Sequence, residues 1–172
     1  MKDFTVFGVD LTSTETKSSA CLGFDSELQL VYLGCLTKDS SIIATINLYS
    51  PKVVAIDAPL SLPLGLCCLE ENCPCRPKFT RKNRQCDQKL RQMGISCYPT
   101  SKKTFIKDLI YRGIKLKNKL CQRGFQVIEV YPFASKVRLF GKAMPRKTTP
   151  QGMAFLKEHL RGILPTLNPC LD

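Results

Sequence analysis

The hydrophobic and polar residues of the chain alternate in blocks that predict an α/β protein. Two segments are alike in that an apolar run in each ends at an aspartate. In Phe4–Ser13 this aspartate is Asp10, and in Lys52–Leu60 it is Asp57. A continuous apolar run bounded by polar residues or proline is typical of a strand buried on both faces. Neighbouring strands of a parallel sheet lie about 4.8 Å apart. We therefore expect Asp10 and Asp57 side by side at the carboxyl edge of one sheet, where open α/β sheets bind ligands.

The segments between these two runs predict the order of the fold. Residues Lys17–Phe24 and Leu28–Leu36 have the composition of two strands, joined by a turn at Asp25-Ser26-Glu27. Ser40–Tyr49 places isoleucines near helical spacing and predicts a crossover helix that returns the chain to the Asp57 strand. Three antiparallel strands, a helix and a parallel fourth strand are the opening of an RNase H-like fold, an order that actin-like ATPase domains share.

The second half of the chain predicts one irregular segment followed by regular elements. We interpret residues 59–100, which are rich in proline and cysteine, as an insertion that contains one helix ending before Gly94. The expected elements after it are a helix over 101–122 stopped by Gly124, a strand over 125–132, a short helix over 133–140 and a last helix over 150–164. The fold class is therefore α/β, with a mixed sheet whose first three strands are antiparallel and later strands parallel, and with helices on both faces. Residues 1–172 are the length of one domain.

The strand over 125–132 carries a third carboxylate, Glu129, within its apolar run. A buried, unpaired carboxylate is costly, so Glu129 needs a metal ion, a salt bridge or a solvent-facing edge. Asp10 and Asp57 as neighbours would repel each other unless a cation or a shared proton relieved them. Oxygen ligands of this kind suit Mg²⁺ or Mn²⁺. The simpler interpretation is that each aspartate only ends a strand and begins a turn.

The distribution of charge along the chain indicates a class of binding partner. The net charge is +12, and residues 76–123 alone hold 15 Lys and Arg against Asp87 and Asp108, a net charge of +13. A basic segment beside a carboxylate site suits a polyanion, of which nucleic acid is the commonest, and the simpler interpretation is a solvated face without a partner. No apolar stretch approaches the roughly 20 residues of a membrane span, and no secretory leader pattern opens the chain, so we expect a cytoplasmic protein without membrane partners.

Cysteine usage suggests a second metal site. Five of the ten cysteines are crowded around a loop that contains proline: Cys67, Cys68, Cys73, Cys75 and Cys86. Four thiolates suit tetrahedral zinc, for which Cys67 or Cys68 would combine with Cys73, Cys75 and Cys86. The spacing is not that of two C-x-x-C knuckles, so an iron–sulfur cluster and unligated thiols stay as alternatives. The chain has one histidine, His159, which gives little support to a Ser-His-Asp or Cys-His hydrolase.

Four motifs together resemble a known family. Gly8–Thr12, Ala55–Pro63, the segment from Arg84 to Ile95 and Glu129–Pro132 are similar, in this order, to the predicted RNase H-like nucleases of domain-of-unknown-function family 429. The resemblance implies an RNase H-like fold and a metal-dependent nuclease activity. It further implies a C-terminal helix with another aspartate motif, which either begins at Asp172 or is not needed by the site.

The resemblance also implies roles for individual residues. Asp10, Asp57 and Glu129 would form the catalytic, metal-binding acidic site. Substrate-binding residues would be Thr12, Arg84, Asp87 and Arg91. We expect two Mg²⁺ or Mn²⁺ ions about 4 Å apart, bridged by Asp10, that hydrolyse phosphodiester bonds. The basic segment would bind phosphates, and Phe79, Tyr98 and Phe105 would either stack on bases or belong to the core. Two alternatives are a non-catalytic nucleic-acid-binding module and an actin-like phosphotransferase that holds phosphate at Asp10–Ser13.

Overall fold

The computed structural model of the protein describes residues 4–78, 83–164 and 166. Phe79 and Asp172, which the sequence analysis singled out, lie outside these residues. The described chain forms five strands and five helices: β1 (Phe4–Asp10), β2 (Ser19–Asp25), β3 (Leu30–Leu36), α1 (Asp39–Tyr49), β4 (Val53–Ile56), α2 (Gln85–Gln92), α3 (Lys107–Cys121), β5 (Gln126–Glu129), α4 (Pro132–Phe140) and α5 (Pro150–Ile163). No helix among these residues is long and apolar enough to cross a membrane.

The five strands form one mixed sheet in the order β3-β2-β1-β4-β5. β1 pairs with β2, and β2 with β3, in antiparallel orientation; β4 pairs parallel with β1, and β5 parallel with β4. The predicted α/β class and the mixed sheet, with antiparallel first strands and parallel later strands, are confirmed. β1 is central because the crossover through α1 returns the chain beside it, and this brings the ends of β1, β4 and β5 to one edge of the sheet.

The core lies on one face of the sheet, beneath α1 and α3. Its buried side chains alternate along the strands and come from one stripe of each helix: Phe7, Val9, Cys21, Val54 and Ile56 from the sheet, Ile42, Ile43 and Ile46 from α1, and Leu116 and Leu120 from α3. The opposite face carries Gly8, Leu22 and Ala55, which are only half-buried. Leu48 lies two positions beyond Ile46 on α1, which turns it away from the core, and it is 77% exposed.

α3 begins later than the sequence predicts. Residues 101–106 form turns instead, in which the Thr104 N–H donates to the Ser101 carbonyl at 3.0 Å and the Thr104 hydroxyl accepts from the Ile106 N–H at 3.4 Å. Phe105 is consequently exposed rather than part of the apolar face. Gly124 follows α3 with a φ of +87°, as expected of the residue that ends a helix.

The loop after β4 passes very close to α3. A Cβ at Gly113 of α3 would lie 3.0 Å from the Ala58 Cβ and 3.1 Å from the Pro59 carbonyl. Glycine therefore lets the helix approach the loop, and the loop in turn begins at Asp57, the aspartate at the end of β4. The close approach of Gly113 fixes the backbone of the candidate site.

Candidate acidic site

Asp10 and Asp57 stand level at the carboxyl edge of two adjacent parallel strands. The register pairs Val9 with Ile56, and the Asp57 N–H donates to the Val9 carbonyl at 2.8 Å, so the ladder continues into the first residue after β4. Because side chains alternate along strands, Asp10 and Asp57 project from the same face of the sheet. Their backbones are held by the ladder rather than by a mobile loop, which fixes the separation of the two carboxylates.

The protein environment disfavours the charged form of Asp57. Burial, the Asp10 carboxylate and the more weakly coupled Glu129 raise the pKa of Asp57 from 3.8 to about 6, although Lys147 lowers it. Loss of hydration is the largest cause, and the repulsion from Asp10 comes next. The structure therefore brings Asp10 and Asp57 together as predicted, in an arrangement that a bound cation would relieve.

Glu129, at the end of β5, is placed differently. The register pairs it with Ile56, one residue before Asp57, so alternation puts Glu129 on the face of Ile56 rather than on that of Asp57. Its Oε2 accepts from the Leu60 N–H at 2.7 Å and from Arg84 Nη1 at 2.6 Å. Of the three ways to satisfy this carboxylate, the structure shows a salt bridge. The described residues contain no compact group of three carboxylates that would hold a metal ion.

Arg84 and Asp87 form a buried pair at the start of α2. Arg84 Nη2 donates to Asp87 Oδ1 at 2.7 Å, and Asp87, 1% exposed, also lies within reach of the Thr100 N–H at 3.4 Å. Burial alone lowers the pKa of Arg84, but its hydrogen bonds with Asp87 and Glu129 outweigh that and raise the pKa, so the guanidinium stays charged. Arg84 thus links Asp87 of the insertion to Glu129 at the end of β5.

A cavity of about 250 Å³ opens where the sheet edge meets the insertion. Its polar lining includes all three carboxylates of the predicted site together with Arg84 and Asp87, and its apolar lining comes from the loop after β4, from α2, from α3 and from Tyr98 and Tyr131. The residues that line it are Asp10, Leu11, Asp57, Ala58, Pro59, Arg84, Asp87, Leu90, Cys97, Tyr98, Ile106, Leu109, Glu129, Val130 and Tyr131. Segments 70 or more positions apart therefore converge on one small, partly apolar site.

Two residues predicted to contact substrate lie elsewhere. Arg91 is exposed on α2 and interacts with Cys97, outside the lining of the cavity. Thr12 lies in the turn after β1, where its hydroxyl accepts from Arg112 Nη1 at 2.9 Å and can donate to the Lys17 carbonyl at 2.9 Å. The Thr12 hydroxyl therefore stabilises a turn, and the cavity lining does not include it.

Arg112 is the polar residue that sequence analysis missed. Its Nε donates to Asp39 Oδ1 at 2.8 Å, and its terminal nitrogens donate to the carbonyls of Thr12, Thr14 and Thr37. Both members of the Arg112–Asp39 pair are buried, and they connect α3 to α1 and to the turn that follows Asp10. The sequence does indicate that Arg112 is buried. It follows Leu109 by three positions and precedes Leu116 by four, which places it on the stripe of α3 that faces the core.

Comparison with known proteins identifies a family. The model of the family described as Protein of unknown function (DUF429) matches residues 8–169, almost the whole chain. The chain belongs to this family. No curated protein and no solved structure matches it significantly. The DUF429 match includes Asp10, Asp57, Arg84 and Glu129, so the acidic site lies within the family domain, as the resemblance of the four motifs implied.

The insertion of this DUF429 chain also contains a compact group of four cysteines: Cys67, Cys68, Cys73 and Cys75. Their sulfur atoms all lie within 4.8 Å of one another. Cys86, predicted as a member, lies outside the group because α2 carries it to Asp87, where its thiol donates to Oδ1 at 3.7 Å. Cys68 takes its place, so the pair of adjacent cysteines contributes both of its sulfurs.

An exposed aromatic pair lies beside the cavity. The rings of Tyr98 and Phe105 meet edge to face with centroids 4.7 Å apart, and they are 59% and 77% exposed. Tyr98 also lines the cavity. Lys103 is exposed and Lys102 and Lys107 are half-exposed in the same part of the chain. In contrast, two cations of the basic segment, Arg84 and Arg112, are buried in ion pairs and add nothing to the surface charge.

Proposed function

We propose that the protein is a nuclease with an RNase H-like fold that hydrolyses phosphodiester bonds with the help of a divalent cation. The observation that supports this most is the level placement of Asp10 and Asp57 at the ends of adjacent parallel strands, within the strand order β3-β2-β1-β4-β5. The resemblance implies the same fold and the same two aspartates. The cavity beside them is lined by a cation and by an exposed aromatic ring.

The donor chemistry of the pair fits a hard cation. Asp10 and Asp57 offer carboxylate oxygens, and Mg²⁺ and Mn²⁺ prefer oxygen ligands and often take only one or two carboxylates from the protein. Burial first, and repulsion from Asp10 second, raise the pKa of Asp57, and a cation between the two carboxylates would favour the charged form against both effects. When bound there, Mg²⁺ or Mn²⁺ would supply an activated water and stabilise the charge of the leaving oxygen.

The protein's own residues would orient the substrate. Arg84 lines the cavity, where Asp87 on one side and Glu129 on the other neutralise its charge and fix its guanidinium, so it holds the cavity wall in place. Tyr98 and Phe105 present ring faces and edges to an unpaired base, and the lysines around them favour a polyanion. Hydrolysis adds a water oxygen to phosphorus, breaks one P–O ester bond and leaves the proton on the departing oxygen.

Glu129 has a supporting role in this proposal. Its Oε2 is bound by Arg84 and by the Leu60 N–H, so it positions Arg84 and the loop that follows Asp57. The residues that would hold the cation are then Asp10 and Asp57. This differs from the sequence prediction, in which Asp10 bridges two ions and Asp57 and Glu129 each complete the ligands of one ion.

The test combines metal binding with cleavage on the same preparations. Mn²⁺ and Mg²⁺ are titrated by calorimetry into the wild type, Asp10→Asn and Asp57→Asn, and each protein is then incubated with labelled single-stranded, hybrid and branched nucleic acids. Asp108→Asn is the matched control, because Asp108 is an exposed aspartate of α3 outside the cavity. We expect saturable binding and cation-dependent cleavage in the wild type and the control, and neither in the two site variants.

Three results would overturn the proposal. Absence of Mn²⁺ binding in the wild type would remove the cation site. Tight nucleic-acid binding that is equal in the wild type and Asp10→Asn, without cleavage in either, would instead support the non-catalytic binding module. Protection of the wild type from thermal unfolding by a nucleoside triphosphate, with no cleavage, would support the phosphotransferase.

A further inference from the structure

The four-cysteine group of the insertion is built for a tetrahedral metal ion. With metal–sulfur bonds of about 2.3 Å, the sulfurs of a tetrahedral zinc site lie about 3.8 Å apart. The Sγ atoms of Cys67 and Cys73 are 3.5 Å apart, and all four sulfurs lie within 4.8 Å of one another. We propose that Cys67, Cys68, Cys73 and Cys75 bind one structural Zn²⁺ through four thiolates. This site is separate from the acidic site and from the function proposed for it.

The loop that carries the cysteines is closed at its base. The Lys78 N–H donates to the Leu64 carbonyl at 2.7 Å, which brings together the two ends of the segment 64–78. At Gly65, with a φ of +94°, a Cβ would lie 2.6 Å from the Arg76 carbonyl oxygen and 2.6 Å from the Lys78 nitrogen. Only glycine permits this approach, so the backbone itself closes the small loop that carries the cysteines.

Positive charge surrounds the carbonyls of the loop. A zinc ion with four thiolates has a net charge of about −2, which a site must accommodate. Arg76 Nη1 donates to the Pro74 carbonyl at 3.0 Å and to the Cys75 carbonyl at 3.2 Å, and Lys102 Nζ donates to the Cys73 carbonyl. Two cations thus lie against the backbone between the last two cysteines, where they would compensate that charge.

The loop is attached to α3 by a small set of contacts. Leu69, between the two halves of the cysteine group, is fully buried, and its N–H donates to the Tyr111 hydroxyl at 2.6 Å. Tyr111 and Lys107 both donate to the Glu70 carboxylate, at 3.0 and 3.2 Å. A loop with one buried apolar side chain has little core of its own, and a metal is the usual way in which such a segment is stabilised.

The experiment measures metal content on the full chain purified under reducing conditions without added metal. Elemental analysis is carried out on the wild type, Cys68→Ser, Cys75→Ser, Cys86→Ser and Cys121→Ser. We expect about one Zn²⁺ per chain in the wild type and in the last two variants, and at least a tenfold loss in the first two. Comparing Cys68→Ser with Cys86→Ser tests which of the two cysteines binds the zinc ion. Cys121→Ser is the control, because Cys121 is an exposed cysteine at the end of α3.

A second measurement does not depend on the folding of any variant. The wild type is treated with a mercurial thiol reagent, released zinc is followed with a chromophoric chelator, and the same protein is reconstituted with Co²⁺ to record the visible absorption of tetrahedral cobalt–thiolate. Zinc release and that absorption are the expected results. The proposal is overturned by absence of zinc together with no Co²⁺ uptake, by the visible absorption of an iron–sulfur cluster, or by a mass that shows a disulfide in this loop. Loss of zinc in Cys86→Ser but not in Cys68→Ser would likewise overturn it.

Discussion

Arg84 and Glu129 are 45 positions apart in the chain and are joined by a hydrogen bond of 2.6 Å between Nη1 and Oε2. This bond connects the start of α2, within the insertion, to the end of β5 in the sheet. Asp87 completes the arrangement on the other side of the guanidinium. The site is therefore an assembly of two parts, in which the sheet supplies Asp10 and Asp57 and the insertion supplies the guanidinium that holds Glu129 in place.

Replacement of Arg84 should unfold the protein more easily. Arg84→Met leaves Asp87, 1% exposed, as a buried carboxylate without its cation. We expect a loss of about 3–5 kcal/mol in the free energy of unfolding, measured by urea denaturation. Arg91→Met, in the same helix but exposed, should change it by less than about 0.5 kcal/mol. Equal effects of the two substitutions would contradict the role given to the buried pair.

The two halves of this arrangement differ in how far the sequence predicts them. The twin apolar runs that end in Asp10 and Asp57 specify buried strands, and the elements between them specify a parallel crossover, so the pairing of the two aspartates follows from local patterns. The register of β5 does not follow from local patterns. A shift of one residue moves Glu129 from one face of the sheet to the other, and the apolar run around Glu129 fits either register. Long-range polar contacts such as Arg112–Asp39 depend on packing between elements far apart in the chain. The replacement of Cys86 by Cys68 has the same origin, since the sequence does not show that α2 carries Cys86 away from the loop.

The acidity of Asp57 predicts a pH dependence of metal binding. Its pKa is raised to about 6, so below that pH the carboxyl group holds a proton that a cation must displace. We expect the Mn²⁺ association constant to rise by about tenfold per pH unit up to pH 6 and to level off above it. Calorimetric titrations at a series of pH values measure this. A flat profile would show that Asp57 is not a ligand.

The same shift predicts how stability changes with pH in the absence of metal. The folded protein binds the Asp57 proton more tightly than the unfolded chain, in which the pKa of this carboxyl group is near 3.8. The contribution of Asp57 to stability is thus present at low pH and lost as the pH rises from about 4 to about 6. In Asp57→Asn, this part of the decline should disappear. An unchanged difference between wild type and variant across this interval, measured by urea denaturation, would contradict the assignment.

The Arg112–Asp39 pair should matter more to folding than any exposed pair. Asp39→Asn removes the charge that faces Arg112 in the core, where both side chains are buried, and we expect a loss of about 3 kcal/mol or more. Glu70→Gln is the control, because its ion pair with Lys107 is exposed and should cost less than about 1 kcal/mol. Thermal and urea unfolding compare the two. Similar losses would show that the loop carrying Glu70 depends on its contacts with α3 as strongly as the core depends on Arg112.

The contributions of base stacking and of positive charge to nucleic-acid affinity should differ in their dependence on salt concentration. Phe105→Ala removes an exposed ring, 77% exposed, whose loss exposes no core, so the protein should remain folded while its affinity for single-stranded nucleic acid falls by about 1–3 kcal/mol. Because a ring neutralises no phosphate, the slope of log affinity against log salt should stay the same. Lys103→Gln should instead reduce that slope by about 0.7 for a single strand, since each neutralised phosphate releases counterions. Fluorescence titrations with a labelled oligonucleotide at several salt concentrations measure both quantities. If Phe105→Ala changed the slope, or if neither variant altered binding, the strand would have to pass elsewhere on the surface, and the aromatic pair of Tyr98 and Phe105 would not belong to the substrate path.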